Sequence, residues 1–241
     1  MNIWAISDIH LSFTRDKPMH VFGEGWRNHW EKIEQNWRQR VAPEDVVLVP
    51  GDVSWSRKFS DGLKELEWIH RLPGRLKLLV RGNHDHWWPL TPADAARVPA
   101  TLRLLAGEAL SVEGEVFCGT GGWLAPGDPY YTDLDRPSYQ RELEAFRRSL
   151  DAALELSGGR PFHALLHFPP TTSQGKPTAF QALLAEYPVK TLTFGHFHFP
   201  HEWQATPQGN VKGVRYALVS ADYVDFAPVR IGEGLTGGNT Q

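Results

Sequence analysis

Four consecutive residues, Gly82-Asn83-His84-Asp85, carry side chains that a hydrophobic core cannot use. Asn83 offers a neutral amide oxygen, His84 an imidazole, and Asp85 a carboxylate that could orient that ring. Four other segments hold groups of the same kind: Asp8-Ile9-His10, Gly51-Asp52, the lone His167, and Gly195-His196-Phe197-His198. In Asp8-x-His10 and His196-x-His198 the two donors are two positions apart, so in extended chain they point to the same side; the first pair can serve one ion, the second one ion or two. A carboxylate has two oxygens and can bridge two cations, which an imidazole cannot. Asp8, His10, Asp52, Asn83, His167, His196 and His198 make seven donors. One ion accepts about four to six, so seven donors with a bridging carboxylate point to two ions. Imidazole and carboxylate without thiolate suit Mn, Fe, Zn or Co better than Ca or Mg.

Each segment follows an apolar run of strand length: residues 3–6, 46–49, 76–80, 164–166 and 191–194. Short apolar runs ending at a turn residue read as buried strands. In an open sheet with helical crossovers the carboxyl ends of the strands share one edge, where ligands bind. The five segments are therefore expected to converge there.

The ordered set Asp-x-His, Gly-Asp, Gly-Asn-His-Asp, His and Gly-His-x-His, running from Asp8 to His198, resembles the calcineurin-like metallophosphoesterase superfamily. The resemblance implies an α/β fold, a four-layer α/β/β/α sandwich of two mixed sheets flanked by helices, in a single domain over residues 1–241. It implies one ion on Asp8, His10, Asp52 and His198, and another on Asp52, Asn83, His167 and His196. It further implies a metal-bridging water or hydroxide attacking phosphorus in line. His84 would be catalytic, standing off the metals and protonating the leaving oxygen or stabilising charge there, with Asp85 holding its ring. The expected function is metal-dependent phosphoester hydrolysis, phosphodiester ahead of monoester, with Mn or Fe as the favoured metals. The rival readings are a phosphomonoesterase of the same fold, a non-catalytic scaffold and a mononuclear amide hydrolase. The intact donor set and His84 argue against the scaffold.

Bulk properties narrow the partners. A net charge of −3 gives no strongly cationic nucleic-acid footprint over 241 residues, although a local patch remains compatible with it. Nucleic acid is thus a disfavoured substrate, a small phosphoester the favoured one, and no obligate protein partner is implied. The single cysteine, Cys118, excludes an internal disulfide and fits a reducing compartment. No run approaches the roughly 18 apolar residues of a membrane span, and the first residues lack a signal-peptide pattern. A cytoplasmic protein is expected.

The remaining chain supplies scaffold and rim. Helices are expected over residues 28–40, 59–72, 92–98, 136–156 and 178–186, from apolar spacing and from stops such as Pro73-Gly74 and Gly158-Gly159. Residues 101–105, 109–112 and 115–119 are expected as short strands of a second sheet. Residues 202–205 and 211–220 are expected to form a hairpin around Gln208-Gly209-Asn210. The loops 11–27 and 119–135 carry possible rim residues, among them Lys17, His20, Arg27 and Trp123, with Arg57 after Asp52. His86, His163 and His201 read as bystanders. The Gly-rich tail from Gly232 is expected to fray.

Overall fold

The computed structural model describes residues 1–232, so the tail beyond Gly232 lies outside the described residues. The chain clusters into two compact units: one of residues 1–104 and the chain from Val219 onward, the other of residues 105–218.

In the first unit, β1 (Ile3–Ala5), α1 (His29–Arg40), β2 (Val46–Pro50), α2 (Phe59–His70), β3 (Leu76–Val80), α3 (Pro92–Ala95) and β4 (Leu102–Leu105) follow in order. β1, β2 and β3 are parallel neighbours, in register from Ile3 beside Val46 and from Val46 beside Leu76. All five residues of β2 are buried, as a parallel strand covered on both faces requires. The core joins Ile6, Val47, Val49 and Leu79 to Ile33 and Trp37 of α1 and Leu66 and Ile69 of α2. Gly62 in α2 is there for space: a Cβ at this position would collide with the Trp87 ring.

The second unit contains β5 (Ala109–Val112), β6 (Glu115–Thr120), α4 (Arg136–Ser157), β7 (Phe162–Leu166), α5 (Ala179–Leu184), β8 (Val189–Phe194), α6 (Pro200–Ala205), β9 (Gly209–Val211) and β10 (Val214–Leu218). Its six-stranded sheet runs β5-β6-β7-β8-β10-β9, with parallel pairs from β6 to β10 and an antiparallel hairpin at each edge. α4 lies on β5, β6 and β7 and buries Phe146, Leu150 and Ala153. Gly158, left-handed at φ 62°, ends it. The last strand, β11 (Val229–Ile231), returns to the first unit and pairs antiparallel with β1, giving the order β11-β1-β2-β3-β4.

Two mixed sheets with helices confirm the expected α/β class, and three details depart from the sequence expectation. β4 joins the first sheet, not the second, because it extends β3's edge. Residues 200–205 form helix α6 rather than a strand. Pro200 opens that helix, and the Glu202 carboxylate accepts the N–H groups of His198 and Phe199, the pattern of a helix N-terminus. The hairpin therefore shortens to β9 and β10, turning at Lys212-Gly213, both at positive φ. β11 was not anticipated; three residues are too few to show a period. No helix among the described residues is long and apolar enough to cross a membrane.

Candidate metal centre

In the first unit the loops after β1 and β2 are laced together by their backbones. Asp8 N–H donates to Gly51 O at 3.0 Å, His10 N–H to Asp52 O at 3.0 Å and Leu11 N–H to Val53 O at 2.8 Å. Asp8, His10 and Asp52 all sit in the left-handed region, with φ of 55°, 51° and 50°. For non-glycine residues that conformation costs about 1–2 kcal/mol each, and strain of this kind collects at functional sites. It turns the three side chains together. Asp8 has a ligand atom within 4.8 Å of one on His10 and one on Asp52. All three residues are buried.

The loop after β3 closes on the same carboxylate. The His84 backbone N–H donates to Asp52 Oδ1 at 2.8 Å. The Nε2 atoms of His10 and His84 lie 3.8 and 4.0 Å from Asp52 Oδ2. A side chain on Gly82 would run into the Asp52 carboxylate, so glycine is required for this approach. Asn83, between them, is half-buried. Trp55 forms a wall, stacked on His10 (4.9 Å, 20°) and tilted against His84 (4.2 Å).

Asp85 does not hold the His84 ring. Its Oδ1 accepts Val53 N–H (2.9 Å), Ser54 N–H (3.1 Å) and Trp87 Nε1–H (2.8 Å), and its Oδ2 accepts Gly82 N–H (2.9 Å). The tight turn from Gly82 to Asp85 aims the carboxylate back into the fold, where it locks the β2 and β3 loops to each other. Burial raises its pKa to about 6 against the pull of these donors.

A second buried carboxylate, Glu65 of α2, was not singled out by the sequence. It accepts the hydroxyls of Ser54 and Ser56 and the N–H of Phe13 at 2.9 Å, tying α2 to both loops. The signal was present: Glu65 shares a stripe with Gly62, Leu66 and Ile69, the buried face of α2. Burial pushes its pKa up to about 7 from an ordinary 4.5. With the folded value raised, the stabilisation is complete below pH 4.5 and is lost as pH rises through 7. The loss is about 3 kcal/mol. Metal-free Glu65→Gln is therefore expected to gain thermal stability relative to wild type between pH 4.5 and 7.5. Thermal melts at the two pH values check this, and a constant difference in Tm would contradict it.

In the second unit, His167 is fully buried at the end of β7, fixed by its N–H to Gly121 O at 3.0 Å and by Gly195 N–H to its carbonyl at 3.1 Å. His196 follows β8 at φ 73°, a fourth strained donor. Its Nδ1 lies 3.3 Å from His167 Nε2, so the two rings aim their nitrogens at one small space. Phe168 backs His196 at 4.1 Å. His198 is half-buried on the turn that Glu202 caps. His163 hydrogen-bonds Thr191 at 2.7 Å and Glu115 at 3.1 Å inside the sheet, and His201 stacks on Phe199, as expected of bystanders.

The donor chemistry fits transition-metal ions: oxygen and imidazole nitrogen, no thiolate, with four donors held on strained backbone. Residues 1–200 match the calcineurin-like phosphoesterase family. The chain belongs to that family. The "Gene 66" proteins of Mycobacterium phages L5 and D29 are 32% and 33% identical to this calcineurin-like phosphoesterase over 89 and 91 residues. Those alignments cover 37% of the chain and 42% and 43% of the phage proteins, so the match spans about two-fifths of the curated relatives' length. Phosphopantetheinyl hydrolase from Mycobacterium tuberculosis has a similar fold, with a TM-score of 0.56 at 14% identity, covering 99% of this chain and 98% of that one. A protein of unknown function from Aquifex aeolicus aligns over 95% of both chains at 16% identity and a TM-score of 0.47.

Proposed function

We propose that this member of the family hydrolyses phosphoesters with two transition-metal ions, Mn or Fe ahead of Zn or Co. Asp8, His10, Asp52 and His198 would hold one, and Asp52, Asn83, His167 and His196 the other. The observation that carries the reading is the gathering of Asp8, His10 and Asp52 on three strained positions of two loops whose backbones hydrogen-bond to each other. When bound, a pair of such ions supplies positive field for a phosphate and a water acidic enough to attack near neutral pH.

The chain's own residues do the rest. Asp52 presents Oδ2 to the centre while Oδ1 accepts the His84 N–H, which couples the acid's position to the bridging ligand. His84, with its side chain 37% exposed, stands at the rim where a leaving group departs, and Trp55 supports its ring. Its imidazolium donates a proton to the leaving oxygen. Asp85 and Glu65 fix the loops and take no part in proton transfer. Phosphodiesters are placed ahead of monoesters as substrates, and the single, buried Cys118 supports a cytoplasmic setting.

Turnover of bis-p-nitrophenyl and p-nitrophenyl phosphate, with Mn, Fe, Co and Zn each added to metal-free protein, tests the proposal. Metal-dependent release of nitrophenol, faster from the diester, is the expected result. No hydrolysis with any of the four metals would leave only a binding scaffold.

A further inference from the structure

Three arginines on the loops beside this site have no acidic partner among the described residues. Arg15 lies on the loop after β1, Arg57 on the loop after β2, and Arg81 at the end of β3; all three are exposed. The Thr14 and Ser56 hydroxyls hydrogen-bond at 2.8 Å, which ties the two loops together one residue before Arg15 and Arg57. Asp85 locks the Arg57 loop to the Arg81 loop through Ser54 and Gly82, and Arg81 Nε donates to Asp85 O at 3.3 Å. His86 reports the result. Its pKa is lowered by burial and then by the charges of Arg81, Arg57 and Arg15, so all three charges are felt at one ring.

Among the described residues, none of the three arginines forms an ion pair. Lys17, on the same first loop, lays its Nζ 4.2 Å over the Trp55 ring that backs His84, and it too has no acidic partner among the described residues. In a chain of net charge −3, unpaired cations from three loops held together by buried hydrogen bonds are a deliberate concentration of charge. Like charges so arranged repel unless an anion joins them, and planar guanidinium groups match phosphate oxygens.

We propose that Arg15, Arg57 and Arg81 form a subsite for a second phosphate on the substrate, flanking the phosphoester that is cleaved. The substrate class is thus a compact phosphoester bearing a further phosphate monoester. A patch three cations wide suits one phosphate group rather than the tracked backbone of a long nucleic acid, whose footprint is a stripe. This inference rests on the hydrolase reading above for its scissile bond, but not for its anion site.

The test uses two chromogenic diesters that differ by one phosphate: thymidine 5′-(p-nitrophenyl phosphate) and the same ester carrying a 3′-phosphate. With metal-loaded full-length protein, the 3′-phosphorylated ester is expected to show a KM about tenfold lower, an advantage that fades as salt rises. Arg57→Gln and Arg15→Gln are expected to remove most of that advantage with kcat unchanged, and Arg57→Lys to restore part of it. Equal KM values in wild type, or variants that raise both KM values together, would overturn the subsite. If neither ester is cleaved, the hydrolase reading fails by itself, and calorimetry with thymidine 3′,5′-bisphosphate on metal-free protein decides the subsite. Weaker binding by Arg57→Gln supports it and equal binding refutes it. Affinity that climbs with the length of a single-stranded oligonucleotide would also refute a one-phosphate site.

Discussion

Asp52→Asn is expected to lower kcat/KM by at least about a thousandfold and to strip metal from the protein. The substitution keeps shape and removes charge. Asn retains an oxygen that can accept the His84 N–H, now made to Oδ1 at 2.8 Å, so the loop after β3 stays in place. It loses the second anionic oxygen, Oδ2, toward which His10 and His84 turn their Nε2 atoms. A neutral, single-oxygen ligand cannot bridge two cations. The effect should therefore exceed the ~10–100-fold that follows loss of a group behind a ligand. Thermal stability of the metal-free variant should match or exceed wild type, since a buried negative charge near Asp8 is gone. Steady-state kinetics with metal quantified in the same sample checks this. Full activity in Asp52→Asn would remove the bridging role.

His84→Ala should behave in the opposite way with respect to metal. It is expected to retain bound metal and KM within about twofold, and to lose about 10²–10⁴ in kcat, the span of general acid catalysis. The reason lies in how His84 is held. Its backbone, not its ring, contacts Asp52 within hydrogen-bond distance, and its side chain packs on Trp55 at the rim. Truncation removes the proposed proton donor and leaves the backbone contact. The loss should shrink for p-nitrophenyl esters, whose leaving oxygen needs little protonation, and grow for alkyl esters. A uniform loss across leaving groups, or loss of metal, would reassign His84 to the ligands.

The candidate site residues stand out in the sequence because their chemistry contradicts their surroundings. Metal-capable groups at the ends of apolar runs serve no packing purpose, and β2, β3 and β7 each deliver one while β1 and β8 each deliver two. What the sequence hid was direction. Asp85 follows His84 and looks like its natural partner, but the turn that brings Gly82 against Asp52 reverses the chain and sends that carboxylate to Val53, Ser54, Gly82 and Trp87. Turn geometry of this kind depends on contacts made 30 residues away, which local pattern cannot register. Glu65 hid differently. An acid on an apolar helix face breaks the pattern that identifies the face, so it reads as noise until its partners, Phe13, Ser54 and Ser56, are seen. α6 carries no helical period over six residues, and its cap, Glu202 folding back on His198 and Phe199, is the feature that decides its state.

The central claim is the proposed pair of ions. Anomalous diffraction from crystals grown with Mn tests it most directly. The account predicts two peaks about 3.5–4 Å apart, with Asp52 between them, one flanked by Asp8, His10 and His198 and the other by Asn83, His167 and His196. A single peak, or two peaks without Asp52 between them, would contradict it.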